Sequence, residues 1–270
     1  MTVQDVETDT FAHDWQEWHN GHEARLADPH GFLAITNLHW LQETPERFPD
    51  APGAWSTGPD GVHVTLAEGE ELILDGTPLH GDHTFGPIPE RASLYPKAGN
   101  ASIEIAKRGG HDILRPRHPE NPLRVAFTGT PTYTPDPRWS VTGRYIPFPE
   151  PRPTTVGAAV EGLHHVYDAP GRIEFDLAGE HLTLTVFNGH EPGTLTALFT
   201  DTTSGHTTYA ANRSLHIPTP TPDGTVHLDF NRAANLPCAY TDLATCPLPP
   251  TENHLPVAIE AGQKTPLERA

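Results

Sequence analysis

From Val62 onward, apolar side chains recur at every second position in short runs that stop at turn-forming residues. Val62, Val64 and Leu66 alternate with polar partners, Leu72-Ile73-Leu74 ends at Asp75-Gly76, and Ile103-Glu104-Ile105 repeats the pattern. A period of two sends successive side chains to opposite faces of a strand, so most of the chain is committed to sheets. The 30 Pro and 23 Gly among 270 residues supply turns between short elements and argue against many long helices. Arg172 to Leu177 and His181 to Phe187 flank Ala178-Gly179-Glu180, the clearest hairpin in the chain. Leu123–Phe127, Thr194–Phe199, His206–Ile217, Thr225–Phe230 and Val257–Ile259 read as further strands. About ten short strands at this spacing predict a mainly β fold, built as sandwich or barrel-like antiparallel sheets.

One segment has a different period. Phe11, Trp15, Trp18 and Leu26 fall at helical spacings, which predicts an N-terminal amphipathic helix from Phe11 to about Ala27. Asp9 or Thr10 is placed to cap it, and Asp28-Pro29-His30-Gly31 to stop it. A second aromatic and apolar cluster, Phe32 to Leu41 with Trp40, follows. The expected organisation is therefore an N-terminal helix and aromatic segment over residues 1–50, packed on a single β-rich domain over 51–270. Pro147-Phe148-Pro149-Glu150-Pro151-Arg152-Pro153 is a stiff, extended stretch, and a seam would fall there.

A formal charge of -18 and a pI near 5.3 work against surfaces that must neutralise phosphate backbones or anionic lipid, so neither nucleic acid nor membrane is an expected partner. No apolar run reaches the roughly 18 residues of a membrane helix. The opening MTVQDVETDTFAHDW has no basic n-region or apolar h-region, and a cytoplasmic setting is expected. Two cysteines, Cys238 and Cys246, make no disulfide framework. They read as a small disulfide loop if their Cα atoms approach within about 7 Å, as part of a zinc site, or as a reactive thiol. Zinc prefers a tighter C-x2–4-C spacing with two further ligands, and a nucleophile needs a His or helix terminus nearby. The expectation is a close pair that holds no metal, and no cofactor.

Polar residues concentrate between Asp201 and Asn253. On an extended strand Tyr209 and Arg213 share a face, offering a phenol and a guanidinium to a carboxylate or other oxyanion. Asp229 and Asn231 share a face in the same way, and Asn235 and Cys238 follow in an irregular loop. The expected site is a pocket lined by Asp201, Tyr209, Arg213, Asp229, Asn231, Asn235 and Cys238 that binds a small polar or anionic molecule. Two alternatives stand beside it. One is a hydrolase with Asp201 or Asp229 as base and Arg213 as oxyanion partner. The other is a structural or interaction protein in which the Asn and Asp side chains only hold an irregular backbone. Elsewhere, Arg108, Arg115, Arg117 and Arg124 form the densest basic group, suited to ion pairs or a small anion. The nucleotide-binding glycine fingerprint, phosphate loop, Gly-x-Ser-x-Gly elbow and His-Glu-x-x-His are all missing from the sequence.

The C-terminal third carries a long, unusual string: Asp-Phe-Asn-Arg-Ala from Asp229, Asn-x-Pro-Cys-Ala from Asn235, Ala-Thr-Cys-Pro-Leu-Pro-Pro from Ala244, Glu-Asn-x-Leu from Glu252 and Ala-Gly-x-Lys from Ala261. With the Thr-Ser-Gly block, Tyr209 and Arg213, and more loosely Trp15, Trp40 and Lys107-Arg108-Gly109, it resembles the bacterial family called domain of unknown function 1684. The resemblance spans nearly the whole chain and brings no catalytic residue with it. The chain departs from the family pattern at Ala234, Leu236 and His254, where Tyr, Pro and Arg are expected.

Overall fold

The structure, a computed structural model, describes the chain from Val3 to Ala270, with side chains described from Thr10 onward. It is mostly β, with 45% strand against 14% helix, in antiparallel sheets that include a half-barrel. The chain divides into two compact units, one of Met1–Ala24, Thr128–Asp242 and Cys246–Arg269, the other of Arg25–Phe127 with Leu243–Thr245 and Ala270.

The N-terminal helix runs Val3–Leu26 and buries Trp15 and Leu26. It starts earlier than its apolar spacing suggests, because residues 3–10 contain no Gly or Pro to stop it. Asp9 and Thr10 accordingly sit inside the helix, not at its cap.

The first unit holds an eight-stranded sheet. Along it lie Thr225–Asp229, Ser140–Gly157, His164–Leu177, Glu180–Asn188, Leu195–Asp201, Arg213–Ile217 and Ala234–Asn235, with His254–Leu255 added in parallel to Leu195–Asp201. Strict alternation drives the pairing: Ile173, Phe175 and Leu177 are buried, whereas Arg172, Glu174 and Asp176 between them are not. The hairpin turn at Ala178-Gly179 has φ of 54° and 86°, the left-handed pair that matches the twist of its strands. Arg213–Ile217 packs back toward Thr225–Asp229, so the sheet curls around Ile173, Leu184, Phe199, Leu215 and Phe230. The proline-rich stretch at 147–153 lies within one long strand, and its pairing register shifts between Pro147 and Arg152 because proline has no N–H for the ladder.

Two expected strands take other forms. Leu123–Phe127 lies mostly in a short helix, Pro122–Ala126, started by proline at its first turn. Val257–Ile259 alternates in burial as a strand would but belongs to no strand; Val257 O instead accepts from Thr202 N at 3.1 Å. The alternation there records packing, not pairing.

In the second unit the hairpin of Ala101–Arg108 and His111–Arg117 forms the middle of a seven-stranded sheet, beside a four-stranded sheet built on Ala51–Gly58 and Gly61–Thr65. Ile103, Ile105 and Leu114 join Trp55, Val62 and Leu72 in the core. The opposite hairpin face carries Glu104 paired with Arg115, and Ser102 paired with Arg117. Glu104 is 1% exposed and accepts from Arg115 Nε (3.1 Å) and Nη2 (2.6 Å), from Arg108 Nη2 (3.1 Å), and from Arg117. Burial pushes its pKa up, but the charges of Arg115 and Arg117 outweigh burial and hold it at about 2.

A carboxylate with a lowered pKa stabilises the fold above its unfolded value and loses that contribution as pH falls through the folded value. Glu104→Gln should therefore lower stability at neutral pH by about 3 kcal/mol, since it leaves guanidiniums unpaired. In urea titrations the gap between wild type and variant should shrink as pH drops from 4.5 toward 2. A gap that does not change with pH would contradict this ion-pair account.

Candidate functional site

The site region starts from a turn. Asp201 ends its strand, and the carbonyl of Thr203 accepts from the N–H groups of His206 (3.0 Å), Thr207 (3.0 Å) and Thr208 (3.2 Å). Gly205 takes φ of 81°, which suits a residue without a side chain. The chain therefore folds over from Asp201 and becomes a strand only at Arg213, later than the expected start at His206. Tyr209 and Arg213 do not share a strand face; three N–H groups bonded to the Thr203 carbonyl, with Ser204 Oγ accepting from Asp201 N at 3.1 Å, replace the extended form.

Arg213 is 1% exposed and is tied on several sides. Its Nη2 donates to Asp201 Oδ2 at 2.5 Å and to the carbonyl of Ile259 at 3.2 Å, while Nη1 donates to the carbonyls of Ala261 and Gln263. Its guanidinium carbon lies 5.2 Å from the centre of the Phe199 ring. Asp201 Oδ1 is taken by Thr203, through N (2.7 Å) and Oγ1 (2.6 Å). Burial pulls the Arg213 pKa below its ordinary value, and the Asp201 charge opposes the fall.

Asn231 belongs to a different network. Its Oδ1 accepts from Asp136 N (2.9 Å), its Nδ2 donates to Asp136 O (3.0 Å) and Asp229 Oδ1 (2.9 Å), and its carbonyl accepts from Trp15 Nε1 (2.8 Å). Asp229 and Asn231 do meet, but through the cap of the 3-10 turn Phe230–Arg232 and not as neighbours along one strand face. Asn235 Nδ2 donates to Lys264 O, and its N–H to Gln263 Oε1, both at 2.8 Å. Gln263 Nε2 in turn donates to Glu23 Oε1 at 3.1 Å. Asp201, Arg213, Asp229, Asn231 and Asn235 thus spend most of their polar atoms within the fold, on backbone groups, on one another, or on Thr203 and Arg232.

Tyr209 and Cys238 come together at a separate corner. Cys238 N donates to Cys246 Sγ at 3.3 Å, so the two cysteines are adjacent, and no disulfide joins them. A hydrogen bond from Cys246 lowers the Cys238 pKa; burial opposes this, and Tyr209 and the positive charge of Arg269 add to the lowering. Tyr209 is half-buried and shifts upward, first through burial and then through Cys238. Arg269 lies 5.7 Å from the Tyr209 ring centre, donates to Cys238 O and Asp242, and keeps 40% of its side chain exposed. Among the described residues no group of three or more His, Cys, Asp or Glu is placed to hold a metal ion.

Residues 125–264, just over half the chain, match the family described as "Protein of unknown function (DUF1684)". The chain belongs to that family. All seven expected site residues lie inside the DUF1684 match, whereas Arg269 lies beyond it. A solution NMR structure of an uncharacterized protein from Haloarcula marismortui is 33% identical, over a match covering 54% of this chain and 80% of that one, with a TM-score of 0.45. Among curated proteins none matches the chain.

Sequence reasoning missed three residues of the C-terminal third. Asn253 Nδ2 donates to the carbonyls of Thr185 and Leu198, both at 2.8 Å, bridging two strands that pair only near Phe187 and Asn188. Gln263 and Arg269 are the others. Asn253 and Gln263 stand in the Glu-Asn-x-Leu and Ala-Gly-x-Lys strings, so their signal was present as a motif without a role. An open cleft of about 840 Å³ lies in the other unit, lined among others by Arg47, Asp50, Glu70, Asn100 and His118, and contains none of the seven. No helix among the described residues is long and apolar enough to cross a membrane.

Removing Arg213 leaves Asp201 buried without its cation and three carbonyls without a donor. Arg213→Ala should cost roughly 3–5 kcal/mol in urea denaturation. Arg213 and Asn231 share no hydrogen-bond partner, so the Arg213→Ala, Asn231→Ala double variant should be additive within about 0.5 kcal/mol. A larger coupling energy would show that the two networks act as one.

Proposed function

We propose that this chain binds a small anionic molecule in its C-terminal third, at the corner formed by Tyr209, Cys238 and Arg269. The observation that carries this reading is a buried thiol flanked by a phenol, a second thiol and a partly exposed guanidinium. Arg269 supplies the charge that draws an anion, Tyr209 an apolar wall and a hydroxyl, and Cys238 a polarizable acceptor. In this reading Asp201, Arg213, Asp229, Asn231 and Asn235 hold the frame that carries the corner. Their internal hydrogen bonds favour the structural alternative for those five positions. The hydrolase alternative draws no support from them, because a general base must reach a substrate proton, whereas Asp201 is buried with both oxygens engaged and Asp229 bonds Asn231 and Arg232. In a reducing, cytoplasmic setting the two cysteines stay as thiols.

Iodoacetate is an anionic probe of this corner, and iodoacetamide is its neutral counterpart. Iodoacetate should modify Cys238 of the folded chain, with a pH midpoint below that of an ordinary thiol near ~8.5. Arg269→Gln should slow iodoacetate about tenfold, equivalent to ~1.4 kcal/mol, and leave iodoacetamide nearly unchanged. No modification of the folded chain, or equal slowing of both reagents, would overturn the reading.

A further inference from the structure

Far from that corner in sequence, the polar face of the Ala101–Arg108 and His111–Arg117 hairpin gathers three guanidiniums around one carboxylate. The chain carries 35 acidic residues. Glu104 is nonetheless the one carboxylate paired with Arg108, Arg115 and Arg117 among the described residues. Glu90 also acts on Arg108, but its oxygens accept from the N–H groups of Gly109 (2.7 Å) and Gly110 (2.9 Å). Burial, and then the charge of Arg115, pull Arg108 below its ordinary value, as crowding of like charges requires.

Arg117 carries the second observation. It is 6% exposed; Nη1 donates to His30 O at 2.8 Å and Nη2 to Glu104, while Nε meets no acceptor among the described residues. Its guanidinium carbon lies 5.5 Å from the ring centres of both Phe32 and Tyr95. Those rings are 39% and 49% exposed. A cationic floor is therefore rimmed by two aromatic surfaces open to solvent.

Two guanidiniums in excess of Glu104 match the charge of a phosphate monoester; Arg108 already donates through Nη1 to the carbonyls of Ala92 and Lys107 and through Nη2 to Ser93 Oγ and Glu104, so the N–H groups that match the phosphate oxygens are those of Arg115 and Arg117. The exposed rings offer an offset-stacked or edge contact to a planar group. We propose that Arg115 and Arg117, with Arg108 adding its charge and Phe32 and Tyr95 at the rim, bind a small aromatic phosphate monoester, its phosphate on the Arg115 and Arg117 guanidiniums and its ring against the rim. This site is independent of the Tyr209–Cys238 corner and stands or falls without it.

Isothermal titration of the full chain at about pH 7.5 tests the proposal, because the second phosphate pKa near 6 makes the monoester a dianion there. The probes are phenyl phosphate and inorganic phosphate. Phenyl phosphate should bind in a one-to-one complex about tenfold more tightly than inorganic phosphate. Tyr95→Ala should remove that preference and leave inorganic phosphate within about twofold, and Arg108→Gln should weaken both about tenfold. Arg117→Gln should weaken both further; if it does not fold, the two more exposed variants decide. Absence of saturable binding to the wild type, equal affinity for the two probes, or affinities unmoved by Arg108→Gln and Tyr95→Ala would each overturn the proposal.

Discussion

The first unit depends on one buried cation. The segment from Val257 to Thr265 belongs to no strand, and among the described residues no backbone N–H reaches the carbonyls of Ile259, Ala261 and Gln263. A buried carbonyl without a donor costs on the order of 1–3 kcal/mol. Arg213 answers several at once, because a guanidinium has five N–H groups in a fixed fork, and here it reaches Ile259, Ala261 and Gln263 while pairing with Asp201. Neither partner stands alone: the segment needs donors, and a guanidinium taken out of water needs acceptors. Gly262 belongs to the same arrangement. It takes φ of 76°, and a Cβ there would lie 2.5 Å from Ala233 O, so the segment approaches the Phe230–Arg232 turn as closely as it does only with glycine.

This explains which parts of the molecule were legible. Strands such as Arg172 to Leu177 follow directly from alternation, because one face is buried and the pattern of burial is the pattern of sequence. The first half of the His206–Ile217 stretch fails on the same rule, and only Arg213–Ile217 is a strand. Its Thr residues have strand propensity, yet the Thr203 carbonyl gathers the N–H groups of His206, Thr207 and Thr208 in succession, and Ser204 Oγ accepts from Asp201 N. Val257–Ile259 fails for the converse reason: alternate burial is necessary for a half-buried strand but does not by itself supply a partner. Leu123–Phe127 was open to either reading, since a short apolar run has no period of its own.

The polar cluster of the C-terminal third was legible as a cluster and misread in its geometry. Composition marks residues that must be buried and satisfied, and both a ligand pocket and an irregular buried backbone have that requirement. Asp229 and Asn231 bear on the two cases, because Asn231 is buried and uses both ends of its amide on Asp136 and Asp229. Tyr209 and Cys238 differ from them in kind. Their partner Arg269 is 56 residues from Arg213 and lies outside the family match, so no motif in the recognised string pointed to it.

The two arginine networks then differ in a way that counting charges makes plain. Arg213 faces one carboxylate and three carbonyls, and its charge is matched within the fold. Arg108, Arg115 and Arg117 face one carboxylate together. Desolvating a guanidinium costs several kcal/mol unless a nearby anion offsets it, so an imbalance of this size is retained only where Glu104 can serve more than one cation. It does so with both oxygens: Oε1 accepts from Arg108 and Arg115, and Oε2 from Arg115 and Arg117. That sharing holds the three guanidiniums at set positions, with the Arg117 guanidinium carbon 5.5 Å from the ring centres of Phe32 and Tyr95, before any ligand arrives. An anion meeting such a group pays little for reorganising it. The same carboxylate that keeps the hairpin face folded is therefore the element that preorganises its surplus charge.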